Sequence, residues 1–401
     1  MSTEENTKLV PQLRFPEFLG EPGWTPKELG DCLHYLQPTQ YLVSSTAYSD
    51  NYQIPVVTAG KTFILGYSNE THGVFKQPLP VIIFDDFTTA SQFVNFPFKA
   101  KSSAMKILLA KKNSNIKFVY ESMQGIEYEV GAHGRHWISA YSKIVLAVPE
   151  LIEQQRIADC LNSLDELIAA QARKVEALKT HKKGLMQQLF PREGEAQPRL
   201  RFPEFQNTGD WVEQSVGDFG KVVTGNTPST AQPAFYGGGI PFASPADISD
   251  LRFVDQTKTT LTPDGFAETR PIRAGSVLFV CIGSTIGKVA QNVRDCATNQ
   301  QINSVVPSSK YSDDFVYFAL SYASERITLL AGRQAVPIIN KSLFSSVRLL
   351  VPKFSEQKRI ASFLSSLDAL IAAETQKIEA LKTHKKGLMQ QLFPSAEALE
   401  A

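Results

Sequence analysis

From Ile157 onward, apolar residues recur at alternating spacings of four and three, at Leu161, Leu164, Ile168, Val175, Leu178, Leu185 and Leu189, with Gln171 and Lys182 filling two seam positions. This heptad pattern predicts a long helix with a coiled-coil seam. The pattern returns at Ile360, Leu364, Leu367, Ile371, Ile378, Leu381, Leu388 and Leu392, interrupted at Glu374 and Lys385. Pro149 and Pro352 precede the two runs and Pro191 and Pro394 close them, so each helix is expected to have about 35 residues and a length of about 50 Å. Two exposed leucine seams in one chain most simply pair with each other, antiparallel if a two-fold axis perpendicular to the helices relates the halves. A parallel pair, or pairing with a second chain, is the alternative.

The helices belong to a larger repeat. Residues 149–191 and 352–394 are identical at 31 of 43 positions, and LKTHKKGLMQQLFP occurs verbatim at 178 and 381. A second match, offset by 187, sets PQLRFPEF from Pro11 on PRLRFPEF from Pro198 and Trp24 on Trp211. The chain is therefore two copies of one unit: short motif, variable body, long helix. Its divisions are residues 1–19 (N-terminal arm with the first motif), 20–148 (first body), 149–191 (central helix), 192–206 (linker and second motif), 207–351 (second body), 352–394 (C-terminal helix) and 395–401 (tail). Beyond their first dozen residues the two bodies do not align.

Both bodies read as mixed α and β. Strand-like runs fall at 54–59, 79–84, 104–110 and 142–149 in the first, and at 275–283, 302–307 and 347–352 in the second, with a helical stretch from Asp313 to about Leu330. In each, the last strand feeds the long helix through a proline. The fold class expected is α+β: two globular mixed α/β domains separated by two long antiparallel coiled-coil helices, with a pseudo-two-fold internal repeat. Only the six residues REGEAQ join Pro191 to Pro198, which holds them within about 25 Å. A two-fold relation would place Pro394 equally close to Pro11.

Composition narrows the class. With 401 residues, 43% hydrophobic and 20% charged, the chain is an ordinary folded protein of more than one domain. Lys and Arg number 41 against 40 Asp and Glu, which excludes binding nucleic acid by bulk charge alone. The bodies are equally balanced, 11 basic against 10 acidic over 20–148 and 12 against 12 over 207–351. Cys32, Cys160, Cys281 and Cys296 form no CxxC pair, so reduced thiols are expected. The polar start and the lack of a long apolar run point to the cytoplasm.

Candidates for catalysis are few. GSTIGKV (283–289) resembles a phosphate loop, but it is one residue short between its glycines and has Val289 where Ser or Thr must meet magnesium, so a strand-turn glycine pair is the better reading. His133 and His136 lack a carboxylate or Cys companion for a metal. Asp85 and Asp86 at a strand end read as structural or hydrogen-bonding acids. No glycine-rich AdoMet loop and no NPPY or DPPY motif is present. No catalytic residue and no metal ligand is expected.

LRFPEF in each half, TGNTPS (224–229), YGGGIPF (236–242), GSVLFVCIGSTIGK (275–288), ATNQQINS (297–304) and the helices opening at Glu153 and Glu356 together resemble the specificity (S) subunit of a type I restriction-modification system. The resemblance covers nearly the whole chain. The second body carries the pattern fully. The first lacks TGNTPS and TNQQIN and resembles a different class of target-recognition domain through IPVVTAGKTFILGY (54–67) and VIIFDDFTTASQFVNFPFKAKSSAMKIL (81–108). The resemblance implies a non-catalytic DNA-specificity subunit. Each body would be a target-recognition domain reading one half of a bipartite, asymmetric double-stranded DNA site, with the helices setting the spacing.

The partners implied are two methyltransferase (M) subunits and restriction (R) subunits, with AdoMet, ATP and Mg in those partners and no cofactor in this chain. The repeated Lys179, His181, Lys182 and Lys183, with Lys382, His384, Lys385 and Lys386, are candidate partner contacts; cations offsetting the helix dipole are the alternative. For DNA, turn residues with polar side chains are the candidates: Lys61, Asn69, Ser91, Gln92 and Lys101 in the first body, and Asn226, Thr227, Ser229, Ser284, Thr285, Lys288 and Arg333 in the second. TNQQINS is also placed to brace a sheet. A coiled-coil scaffold whose bodies bind protein or glycan ligands is the alternative function.

Overall fold

The computed structural model describes residues 9–129, 134–332 and 336–395. The chain divides into two compact units, Met1–Gln171 with Lys377–Ala401, and Ala172–Gln376. The division cuts through both long helices, because the two ends of each helix pack in different units. The helices run Leu151–Leu189 and Phe354–Leu392, 39 residues each. They exceed the expected length because the first turns, ahead of Ile157 and Ile360, carry no seam residue.

The repeated motifs build one frame in each unit. In the first, strand Thr25–Glu28 pairs antiparallel with Val145–Val148, which leads through Pro149 into the central helix. Arg14 donates from Nε and Nη2 to the two carboxylate oxygens of Glu153, both at 2.7 Å, and Trp24 Nε1 donates to the same carboxylate at 3.2 Å. Gln154 donates to Pro149 O at 2.8 Å and accepts from the backbone N–H of Asn115, the residue capping helix Ile116–Gln124.

The second unit repeats each contact. Val212–Ser215 pairs with Arg348–Val351, Arg201 clamps Glu356 at 2.8 Å twice, and Trp211 donates to Glu356 at 3.3 Å. Gln357 bonds Pro352 O and the N–H of Ser312, which caps helix Asp313–Leu329. LRFPEF and the EQ at each helix start thus repeat because they are two halves of one buried clamp.

Within each unit the helices run antiparallel. In the second, Lys174 meets Glu374 at 3.1 Å and Lys182 meets Asp368; in the first, Asp165 meets Lys385 at 2.7 Å. The seam breaks at Lys182 and Lys385 are therefore inter-helix ion pairs.

The first unit contains both ends of the chain. The N–H of Leu13 donates to Gln391 O at 2.9 Å, and Phe393 packs on Trp24 and Phe118. In the second unit the N–H of Leu200 donates to Gln188 O at 2.9 Å and Phe190 packs on Trp211 and Phe315. What the linker joins covalently in one unit, the two chain ends join by contact in the other, as expected of Pro11 and Pro394.

The bodies share a fold despite their unlike sequences. The first has a four-stranded antiparallel sheet in the order Leu33–Leu36, Met105–Ala110, Val81–Asp85, Ser91–Val94, and a three-stranded sheet in the order Ile64–Ser68, Ile54–Val57, Lys99–Ala100. The second places Gly220–Thr224, Ile302–Pro307, Val277–Val280 and Val289–Asn292 in the same order, adds Phe253–Val254 at the edge, and repeats the three-stranded sheet with Thr259–Leu261, Tyr236–Ala243 and Ala297–Thr298. Each larger sheet packs one face on its helix and frame and the other on the smaller sheet's side of the core.

Candidate nucleic-acid interface

In the second body three family stretches converge at one end of the larger sheet. TGNTPS leaves strand Gly220–Thr224, GSTIGK links Val277–Val280 to Val289–Asn292, and TNQQIN enters Ile302–Pro307. Gly225 is required there: a Cβ would stand 2.2 Å from Thr298 O, so only glycine lets the first loop lie against the third. Thr227 Oγ1 donates to Gln300 Oε1 at 2.9 Å, and both residues are exposed. The accepted hydrogen bond orients the Gln300 amide nitrogen away from Thr227, as a donor for a base edge or phosphate. Ser229 and Ser284 are exposed beside them and Thr285 is half-buried.

Two candidates are committed to the fold. Asn226 donates to Glu268 O at 2.9 Å and accepts from the N–H of Arg270 at 3.0 Å. Lys288 Nζ donates to Ile248 O at 3.0 Å. Arg333, like His133, lies outside the described residues. GSTIGKV is a turn between strands with Gly283 and Gly287 at φ 99° and 93°, the glycine-pair reading. TNQQINS does brace the sheet, since Asn303 accepts from Thr224 Oγ1 at 2.6 Å, yet it also presents Gln300. Gln300 and the exposed Arg270, whose Nη1 donates to Thr224 O at 2.7 Å, escaped sequence reasoning. The repeat of Gln in TNQQ gave no sign of which one faces out.

The corresponding end of the first body gathers Lys61, Lys101 and the hairpin Asp85–Ala90. Lys101 bonds Val57 O through its N–H, and its ammonium stands 5.7 Å from the centre of the Tyr48 ring. Asp85 Oδ1 accepts from the N–H groups of Phe87 and Thr88 at 2.9 Å, fixing a hairpin tip that exposes Phe87. Asp86 is buried, 3.2 Å from Lys106 and accepting from the Trp137 N–H at 2.8 Å, so both acids are structural. Asn69 follows Ser68, which pairs with Ile54, and so stands at the opposite end of its sheet from Lys61. Ser91 accepts from Gln124 and Gln92 is half-buried in its strand. Phe87 was missed because nothing local marks an aromatic as exposed, and Tyr48, half-buried with its hydroxyl inside, because nothing local marks its contact with Lys101.

On the helices, Lys182 and Lys385 are each paired with an aspartate of the opposite helix. Lys179 and Lys382 pair with Glu176 and Glu379 one turn back at 2.8 and 2.9 Å, and Lys183 stands 3.9 Å from Glu325. His181, Lys183, His384 and Lys386 are exposed. Among the described residues no His, Cys, Asp and Glu cluster could hold a metal, and no helix is long and apolar enough to cross a membrane. All four cysteines are free, and burial pushes the Cys281 and Cys296 thiols up to about 11 and about 12.

The comparisons with known proteins agree with this arrangement. The family described as the type I restriction modification DNA specificity domain matches residues 208–383. The EcoR124I/EcoR124II specificity subunit of Escherichia coli is 36% identical over 374 residues, 89% of each chain, and the HindI specificity subunit of Haemophilus influenzae is 25% identical over 328 residues, 75% of this chain and 70% of that one. Among solved structures, the type I S subunit from M. genitalium superposes with a TM-score of 0.59 at 14% identity, covering 96% of this chain and 99% of that one. A chain from a study of assembly and conformational transition of the type I R-M system gives 0.54 at 17%, covering 93% and 98%. The chain belongs to the specificity subunits of type I restriction enzymes. Its role is therefore DNA sequence specificity, and the scaffold alternative finds no support.

Proposed function

We propose that each body reads one half of a bipartite, asymmetric DNA sequence through the loop cluster at the end of its larger sheet, and that the two long helices set the gap between the halves. The observation that carries this reading is one frame, repeated to the level of single hydrogen bonds, holding two bodies of one fold but unrelated surface residues. A shared frame with unlike loops is what independent reading of two unlike half-sites requires. Thr227, Ser229, Ser284 and Gln300 are the contacts in the second body, and Tyr48, Lys61, Phe87 and Lys101 in the first.

The chain catalyses nothing itself in this reading. Two methyltransferase subunits dock on the repeated helix faces carrying His181, Lys183, His384 and Lys386, restriction subunits join them, and AdoMet, ATP and Mg belong to those partners. The complex works in the cytoplasm. Near-neutral bodies fit a subunit that grips DNA firmly only with its partners.

The test is exchange of the first body, residues 20–148, for that of a relative, followed by mapping of methylated sites in cells carrying the methyltransferase. One half of the methylated sequence is expected to change and the other to stay. Alteration of both halves would overturn independent reading.

A further inference from the structure

The frame offers each body the same charged socket, and each body fills it differently. In the first unit Asp165 and Lys385, from the two helices, form a ring with Lys117 and Glu121 of helix Ile116–Gln124. Lys117 stands 2.6 Å from both Glu121 and Asp165, and Lys385 stands 3.0 Å from Glu121 and 2.7 Å from Asp165. Glu121 is 1% exposed. In the second unit the repeat equivalents are Asp368 and Lys182, and the body supplies Arg252 and Asp314.

Arg252 comes from a different place than Lys117, the segment before edge strand Phe253–Val254 that the first body lacks. Its side chain is 4% exposed, lies 4.6 to 4.8 Å from the ring centres of Phe253, Tyr317 and Phe318, and donates to Gln291 and to Ser365 Oγ at 2.8 Å. Asp368 Oδ2 is buried without a hydrogen bond and faces Arg252 Nη1 at 3.8 Å.

We infer that Lys117 and Arg252 are positioning residues: each locks its body in one orientation on the helix pair by completing the Asp–Lys socket with a cation, so that the protein accepts only one gap between half-sites. The inference rests on the reading that the helices set that gap. Two unrelated bodies reach the same helix aspartate with cations from different elements, which random surface charge would not do. The desolvated members of each socket, Glu121 at 1% and Arg252 at 4% exposed, tolerate little displacement, because desolvated charges lose their compensation when they part, whereas Asp165 at 38% is the most open member.

The experiment measures methylation by the complete complex on a DNA library with fixed half-sites and gaps one base pair shorter, equal and longer. R252M and K117M keep the aliphatic stems and remove the charge; R252K and K117R keep it. Discrimination between the correct and neighbouring gaps is expected to fall by about tenfold or more in the Met variants and to return in the conservative ones, with half-site sequences unchanged. Should R252M fail to fold, S365A, which removes the Arg252 hydrogen bond to Ser365 and so loosens the guanidinium facing Asp368, is expected to give a smaller loss in the same direction. Folded Met variants, or S365A and K117M, that keep full discrimination would overturn the inference. Wild-type protein that methylates all gaps alike would overturn the gap reading itself and the inference with it.

Discussion

The Arg14 and Arg201 clamps are the residues on which each frame most depends. Arg201 and Glu356 have side chains 7% and 1% exposed, and Met at 201 leaves a buried carboxylate with only the Trp211 donor. R201M is expected to destabilise the second unit by about 3–5 kcal/mol, read as a shift in the urea midpoint, and R14M to do the same to the first. Asp165 gives a pH signature. Burial alone would raise its pKa, but the hydrogen bonds from Lys117 and Lys385 hold it below the ordinary carboxylate range. Its stabilisation is complete above about pH 4, where the unfolded carboxyl is ionised, and is lost as pH falls through the lowered folded value. D165N is therefore expected to be less stable than wild type at pH 7, with the difference in melting temperature closing as the pH falls below 4.

The clamp residues were visible in the sequence as repeats, but their partnership was not, since Arg14 and Glu153 are far apart in the chain and nothing local couples them. The inter-helix pairing of Lys182 and Lys385 was hidden for the opposite reason. A lysine at a seam position looks exposed when only its own helix is considered, and its aspartate partner lies on the other helix.

At the scale of elements, the helices and the two central strands of each larger sheet were legible, the helices because their apolar period persists through only two breaks each and the strands because they are largely apolar runs. Strands Tyr236–Ala243 and Gly220–Thr224 were not, since glycines and polar residues mask the alternation and only tertiary pairing makes them strands. The common fold of the bodies was likewise hidden, because a sheet order can be kept by many sequences that share only a core. The helix register also refines the spacing argument. Asp165 to Lys182 and Asp368 to Lys385 are equal intervals, so lengthening one helix alone would break one of the two Asp–Lys inter-helix pairs. Insertion of four residues after Gln171 together with four after Glu374 keeps both pairs and adds about 6 Å to each helix, nearly two base-pair steps. The paired insertion is expected to leave both half-sites intact and widen the gap, as methylation mapping would reveal, whereas either insertion alone lowers the melting temperature.

For the whole molecule, the equivalent Leu13 to Gln391 and Leu200 to Gln188 bonds make the choice of chain opening nearly arbitrary. A permuted chain opened near Gly194, with residues 395 and 9 joined by a short linker, is expected to fold and to direct methylation to the same DNA site. Loss of folding in that chain would mean that the linker 192–206 does more than connect.

The closure of the first unit by the C-terminal helix also imposes an order on synthesis. The second unit is one continuous stretch, Ala172–Gln376, and has all its parts as soon as it leaves the ribosome. The first body emerges earlier but waits, because Leu388, Leu392 and Phe393, which cover Trp24 and Phe118, are made more than 200 residues after it. During that interval an apolar face around Trp24 stands open to chaperones and to other nascent chains. A ribosome that stops before Leu388 releases a chain with a finished second unit and an uncapped first one, so the end of helix Phe354–Leu392 acts as a seal applied only once it has been made.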